Sequence, residues 1–136
     1  MPVPRDRVMR RPFEYAIVRV VPRVERGERL NAGIVLHSRP HRYLGATVGL
    51  DELVLHALAP DCDAVEVRAH LEALVAIAEG RPEAGPIAHL GKAERFHWLV
   101  APSSTVVQAS EVHTGLTDDP AAELAHLFRA LVTDRR

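Results

Sequence analysis

Cysteine is all but missing from this chain: Cys62 stands alone. That excludes an intrachain disulfide and a multi-cysteine zinc site. It suits a reducing compartment, and a cytoplasmic protein is expected. Long hydrophobic runs are missing too. No stretch approaches the roughly 20 apolar residues of a membrane helix. The basic start MPVPRDRVMRRPF leads into no apolar run of signal-peptide length, so no membrane role is expected. Phosphate-cradling glycine loops are lacking as well. Gly91-Lys92 comes nearest to one, but Ala93 stands where a P-loop needs Ser or Thr for magnesium, and Pro86 takes its first glycine position. No GxGxxG follows a strand, and no cofactor is expected. Aromatics make up only 4% of the chain, little material for base stacking.

What remains is the composition of an ordinary globular protein, 47% apolar and 26% charged over 136 residues. That length fits one domain with a core that needs no staples. The formal net charge of −1 hides a division. Residues 1–42 hold ten arginines against Asp6, Glu14, Glu25 and Glu28, whereas 43–136 are acidic overall. Such a split marks either an anionic partner for the basic half or two halves that attract each other.

Residues 1–12, with Arg5, Arg7, Arg10 and Arg11, read as a flexible basic arm preceding a single domain over 13–136. FEYAIVRVV, 13–21, alternates Phe13, Tyr15 and Ile17 with Ala16, Val18 and Val20. Both faces are apolar, as in a central strand. Gly27 in the following charged loop is placed to take positive φ. AGIVLH, 32–37, and RYLGATV, 42–48, are further strands across a short turn, which favours an antiparallel meander. Ala32, Ile34 and Leu36 are expected inward, with Leu44, Ala46 and Val48.

The period then becomes helical. Leu50, Leu53, Val54, Ala57 and Leu58 share a face, and Pro60 ends that helix. Asp63, with Glu66 three residues on, opens a second helix as a capping box. Its stripe is Val67, Leu71, Leu74, Val75 and Ala78, with Gly80 as C′ residue. That stripe is expected to pack on the sheet face carrying Ile34, Leu36 and Leu44. KAERFHWLV fits a short helix or a strand equally. STVVQAS, 104–110, reads as a strand. Asp119-Pro120 then starts a helix with Leu124, Leu127, Phe128 and Leu131 inward. The expected fold class is α+β: a small antiparallel sheet of three N-terminal strands plus a later short one, covered by two to three amphipathic helices.

Reactive residue types are present without the patterns that make them work. Ser103, Ser104, His97, His113, Asp118 and Asp119 could furnish a nucleophile, base and acid, but no GxSxG elbow accompanies them. Cys62 lies between Asp61 and Asp63, whose charges raise a thiol pKa. Glu94 and His97 have i, i+3 metal-ligand spacing without matching carboxylates on other helices. His37 and His41 straddle a turn, and His56, His70 and His126 fall on polar helix faces. No metal is expected.

Two stretches, YAIVRVVPRVERGERLNAGIVLH and ERFHWLVAPSSTVVQASEVHTGLTDDP, resemble the bacterial family called domain of unknown function 3037. The likeness spans roughly residues 13–132. It implies a compact bacterial α+β protein with no assigned activity. It also implies a gene neighbourhood with a HipA-type kinase-like protein, hence an accessory role. The family pattern maps onto Arg19, Pro22, Arg29, Asn31 and Gly33, then onto Arg95, Phe96, Trp98, Pro102, Ser104, Thr105, Gln108, His113, Thr114 and Gly115. Ser103 stands where the family pattern has arginine.

These observations make Arg19, Arg29, Asn31, Arg95, Ser104, Thr105, Gln108, His113 and Thr114 the candidate binding residues, because polar side chains on loops are more often for binding than for packing. No catalytic residue is assigned. The leading expectation is a non-enzymatic accessory protein that binds a protein partner, such as a kinase-like protein encoded nearby, through its sheet face and 95–115. The alternatives are a small ligand-binding domain or enzyme using the Arg/Asn/His cluster, and, less favoured, a nucleic-acid binder using the N-terminal arginines. If 93–120 is a site, Arg95 and His113 should border one concavity with Asn31.

Overall fold

The computed structural model describes residues 10–103 and 105–134. The element order is β1 (Arg11–Val20), β2 (Leu30–Ser38), β3 (Tyr43–Val48), α1 (Glu52–Leu58), α2 (Ala64–Ala78), α3 (Lys92–Val100), β4 (Val107–Ala109), β5 (His113–Thr117) and α4 (Pro120–Phe128). Two short 3₁₀ turns, Pro82–Ala84 and Pro86–His89, join α2 to α3, and a π-helical turn, Arg129–Thr133, prolongs α4. Residues 1–9 of the expected arm, with Arg5 and Arg7, lie outside the described residues. Arg11 and Pro12, assigned to that arm, are instead the first residues of β1. Among the described residues no helix is long and apolar enough to cross a membrane.

The strands make one antiparallel sheet in the order β3-β2-β1-β4, with β5 also on β1. β4 and β5 follow one another along the same edge of β1, against 18–20 and 11–15. Ser110 bridges the break between them: its Oγ accepts from the Ile17 amide, and its own amide donates to the Ile17 carbonyl. The sheet therefore has two late strands, one more than the sequence suggested. The expected 104–110 strand shrinks to Val107–Ala109, and Thr105 before it closes a local turn in which its Oγ1 donates to the Val107 carbonyl.

Helices cover both faces. α1, α2 and α3 bury Val18, Val20, Leu30, Ala32, Val35, Leu44, Leu55, Val67, Leu71 and Phe96 in one core. α4 and its π turn bury Phe13, Ile34, Leu36, Leu124 and Val132 in another. This corrects the expected packing: Val67 and Leu71 meet Val35 and Leu44, whereas Ile34 and Leu36 face α4. A strand alternates its faces, and an apolar residue on each side of β2 signals two layers rather than one. Ala32 keeps its expected side only because a bulge opposite Val18/Arg19 reverses the alternation of β2 there.

Local chemistry explains the helix ends. Asp51, Asp63 and Asp119 each accept first-turn amides with the side-chain carboxylate. α2 stops in a Schellman motif: Gly80, at φ 70°, donates to the Ile77 carbonyl and Arg81 to that of Ala76. The stripe on α1 is turned from the expected one. Leu55 is fully buried and Leu53 is 84% exposed, because the seven-residue helix starts only at Glu52 and offers Val54, Leu55 and Leu58 to the core. KAERFHWLV is helical, with Phe96 and Leu99 inward.

Candidate functional site

The candidate residues divide between the two sheet faces, and strand register does the dividing. Arg19 on β1 lies directly across from Asn31 on β2 and Gln108 on β4. Cross-strand partners point the same way, so all three share the face that carries α4. His113 joins that face opposite Tyr15, with their rings 5.2 Å apart. Asn31 Nδ2 donates to the Leu131 carbonyl at 3.0 Å, a group within the π turn, and Gln108 Nε2 donates to the Thr105 carbonyl at 2.8 Å.

Glu111, between β4 and β5, is the charged residue of this patch that sequence reasoning overlooked. Its Oε1 is 3.6 Å from His113 Nε2. A hydrogen bond with its own backbone, then the charges of His113, Arg19 and Arg29, hold its carboxyl below the ordinary carboxylate range. Arg19, Asn31 and Gln108 thus share one row across the sheet, and His113 lies on the same face four β1 positions away. Nε of Arg19 is shielded from solvent and has no hydrogen-bond partner.

Arg95 is elsewhere. On α3, it donates to the Leu90 carbonyl at 2.6 Å and the Ala78 carbonyl at 3.3 Å, tying the end of α2 to the loop before α3. The expected concavity shared by Arg95, His113 and Asn31 does not form, because the sheet separates Arg95 from the other two. Thr105 is engaged locally with Ser103 Oγ and the Val107 carbonyl. Ser104 lies outside the described residues.

Thr114 points away from its neighbour His113, since successive strand residues alternate. It lies across from Glu14, which lies across from His37. This second polar row lines a cleft of about 430 Å³ with Arg39 and His97. His37 is buried, its Nδ1 is 3.0 Å from Glu14 Oε1, and its ring stacks on Phe96 at 5.3 Å. The carboxylate orients the imidazole, as in acid–base dyads. Glu14 and His37 escape sequence reasoning because 23 residues separate them. Among the described residues no three His, Cys, Asp or Glu side chains gather as a metal-ligand group.

A third feature is apolar. Between α2, α3 and β4 runs a groove of about 430 Å³ bounded by His70, Leu74, Ile77, Trp98, Pro102 and Val107. Trp98, the chain's one tryptophan, is 51% exposed beside it. β4 forms the sheet edge along this groove. In its register the Ser110 and Val21 amides bond across to Ile17 and Val106, so the backbone groups of Val107 and Ala109 point outward, the Val107 carbonyl already accepting from Thr105 Oγ1. The signal for this groove was the family-pattern Trp98 and Pro102, which reasoning from polar residues passed over.

Comparison with protein families matches residues 15–132, nearly the whole chain, to the family described as "Protein of unknown function (DUF3037)". No curated protein and no solved structure matches the chain.

Proposed function

The chain belongs to the DUF3037 family, and on that premise we propose that it is an accessory domain that binds a protein partner. The observation that carries this reading is the half-exposed Trp98 over an apolar groove that runs along an open sheet edge. The occupant is an extended segment of the partner, added beside β4 as one more strand, with its aliphatic side chains in the groove. Bonding at the Val107 amide and at the Ala109 amide and carbonyl would supply affinity, and the groove would supply specificity. A bulky aromatic in such a place is the residue type that dominates binding energy at interfaces. The partner to test first is a HipA-type kinase-like protein in a bacterial setting, supported by the sequence resemblance, and a cytoplasmic setting, supported by the lone cysteine, belongs to the same reading.

The test is affinity capture from the native host with the wild-type chain and with Trp98→Ala, then hydrogen exchange on the purified complex. We expect a stoichiometric partner that Trp98→Ala loses, and slowed exchange at the Val107 and Ala109 amides. No partner, equal capture by both proteins, or unchanged exchange at both amides overturns the proposal. A small-ligand or enzymatic reading is favoured by one observation, the Glu14–His37 pair in its cleft.

A further inference from the structure

The cleft beside α3 holds a buried imidazole with one nitrogen still unengaged. His37 on β2 and Glu14 on β1 are cross-strand partners, and the His37 side chain is only 7% exposed. Its ring is fixed by two neighbours. Glu14 Oε1 lies 3.0 Å from Nδ1, and Phe96 stacks on the ring at 5.3 Å. An ionised carboxylate can only accept, so the proton of the neutral ring sits on Nδ1 and Nε2 keeps its lone pair. Among the described residues Nε2 has no hydrogen-bond partner, and it is not sealed from solvent as Arg19 Nε and Arg95 Nε are. The ring borders a cleft of about 430 Å³, the size of a small-molecule site. A metal ion needs more ligands than the described residues gather, since no three His, Cys, Asp or Glu side chains meet. The lone pair is an acceptor that calls for a proton donor.

We propose that this cleft binds a small hydroxy acid, whose hydroxyl donates to His37 Nε2 and whose carboxylate pairs with Arg39. The inference develops the ligand-binding reading of the cleft and does not depend on the partner groove. Arg39, two residues after His37, borders the same cleft. It is exposed and has no ion-pair partner among the described residues, so its guanidinium fork is open to a carboxylate. Charge favours a monoanion. Glu14 already places one negative charge in the cleft against the positive charge of Arg39, and a dianion would add repulsion. Pro12, Pro40 and Ala93 supply apolar walls for the body of the ligand.

The test follows the His37 Nε2 resonance of the full chain by long-range ¹H–¹⁵N NMR at constant ionic strength. It is run at about pH 8, above the ordinary imidazole range. Without ligand, Nε2 should resonate as an unprotonated ring nitrogen. The probes are mandelate, phenylacetate, which lacks the hydroxyl, and mandelamide, which lacks the charge. Mandelate should move the resonance saturably, with a midpoint about five-fold or more below those of the other two. Arg39→Gln should raise the mandelate midpoint about five-fold, leaving that of mandelamide and the melting temperature unchanged. Glu14→Gln releases the tautomer and should narrow the gap between mandelate and phenylacetate. Should Glu14→Gln fail to fold, Arg39→Gln, at an exposed position, carries the comparison alone. A protonated Nε2 in the free protein, no saturable movement with mandelate, or an unaltered mandelate midpoint in Arg39→Gln overturns the proposal. So does an undiminished gap in a folded Glu14→Gln. Phenylacetate or mandelamide binding as tightly as mandelate overturns the hydroxy-acid assignment and leaves the cleft a ligand site of another class. Trp98→Ala should leave every midpoint unchanged, which separates this site from the groove.

Discussion

Cys62 owes its chemistry to its neighbours. Burial, then Asp63 and Glu66, push its thiol pKa up. The sequence pointed to Asp61 and Asp63; folding brings in Glu66 from the first turn of α2. Since the thiolate is the reactive form, Cys62 should react with iodoacetamide at neutral pH more slowly than N-acetylcysteine does. A faster rate contradicts the assigned surroundings. Arg95 makes the converse point, for its family-pattern position suggested binding and its bonds are structural. Loss of its two carbonyl contacts in Arg95→Ala should destabilise the fold by about 1–3 kcal/mol. The proposed partner should still bind at temperatures where the variant is folded. Unchanged stability in chemical denaturation would return Arg95 to the list of binding residues.

At the scale of elements, α2 and β5 differ in how openly they declare themselves. α2 has a capping aspartate, an apolar stripe and a terminal glycine, and each acts in the structure as its type suggests, save that Ile77 rather than the expected Val75 packs against the core. Leu71 is at the centre of the stripe and 1% exposed, so Leu71→Ala should cost about 2–5 kcal/mol. An unfolding midpoint equal to that of the wild type would rule out this packing. β5, HTGLT, has no alternation of apolar residues, and only its two threonines favour a strand. It is a strand because β1 offers it the 11–15 edge. Gly115 is required by that pairing: a Cβ there would lie 2.7 Å from the Phe13 ring. Gly115→Ala should therefore destabilise by about 1–3 kcal/mol, in the manner of overpacking. Phe13→Leu should recover part of the loss, as measured by denaturant melts of the single and double variants.

The whole molecule is a sheet between two cores that touch different helices. Leu71 belongs to the core under α1–α3 and Leu124 to the core under α4. With the sheet between them and no shared apolar partners, Leu71→Ala and Leu124→Ala should add to within about 0.5 kcal/mol in the double variant. Strong non-additivity would mean that the sheet transmits strain between its faces. The same layering keeps the surface features of the molecule apart. The groove and the Glu14–His37 cleft are on the α2–α3 side, and the Arg19 patch is on the other.

Short-range features were determined by the sequence itself. Asp-led helix starts, the Gly80 stop, positive φ at Gly27 and the two apolar faces of β1 each depend on a few adjacent residues, and side-chain size and hydrogen bonding settle such features without distant partners. The class of fold followed from them. The tertiary structure alone decided which helix covers which face of β2, whether KAERFHWLV is helix or strand, and the pairing of β5. Each turns on contacts between residues far apart in the chain: Phe96 enters a helix because His37 and the α2 core receive its ring. The candidate site was legible as residue types but not as a place. Arg19, Asn31 and Gln108 meet through register, and the same alternation sends His113 and Thr114 to opposite faces. A one-residue step along a strand reverses direction, and only the paired sheet fixes where that step falls.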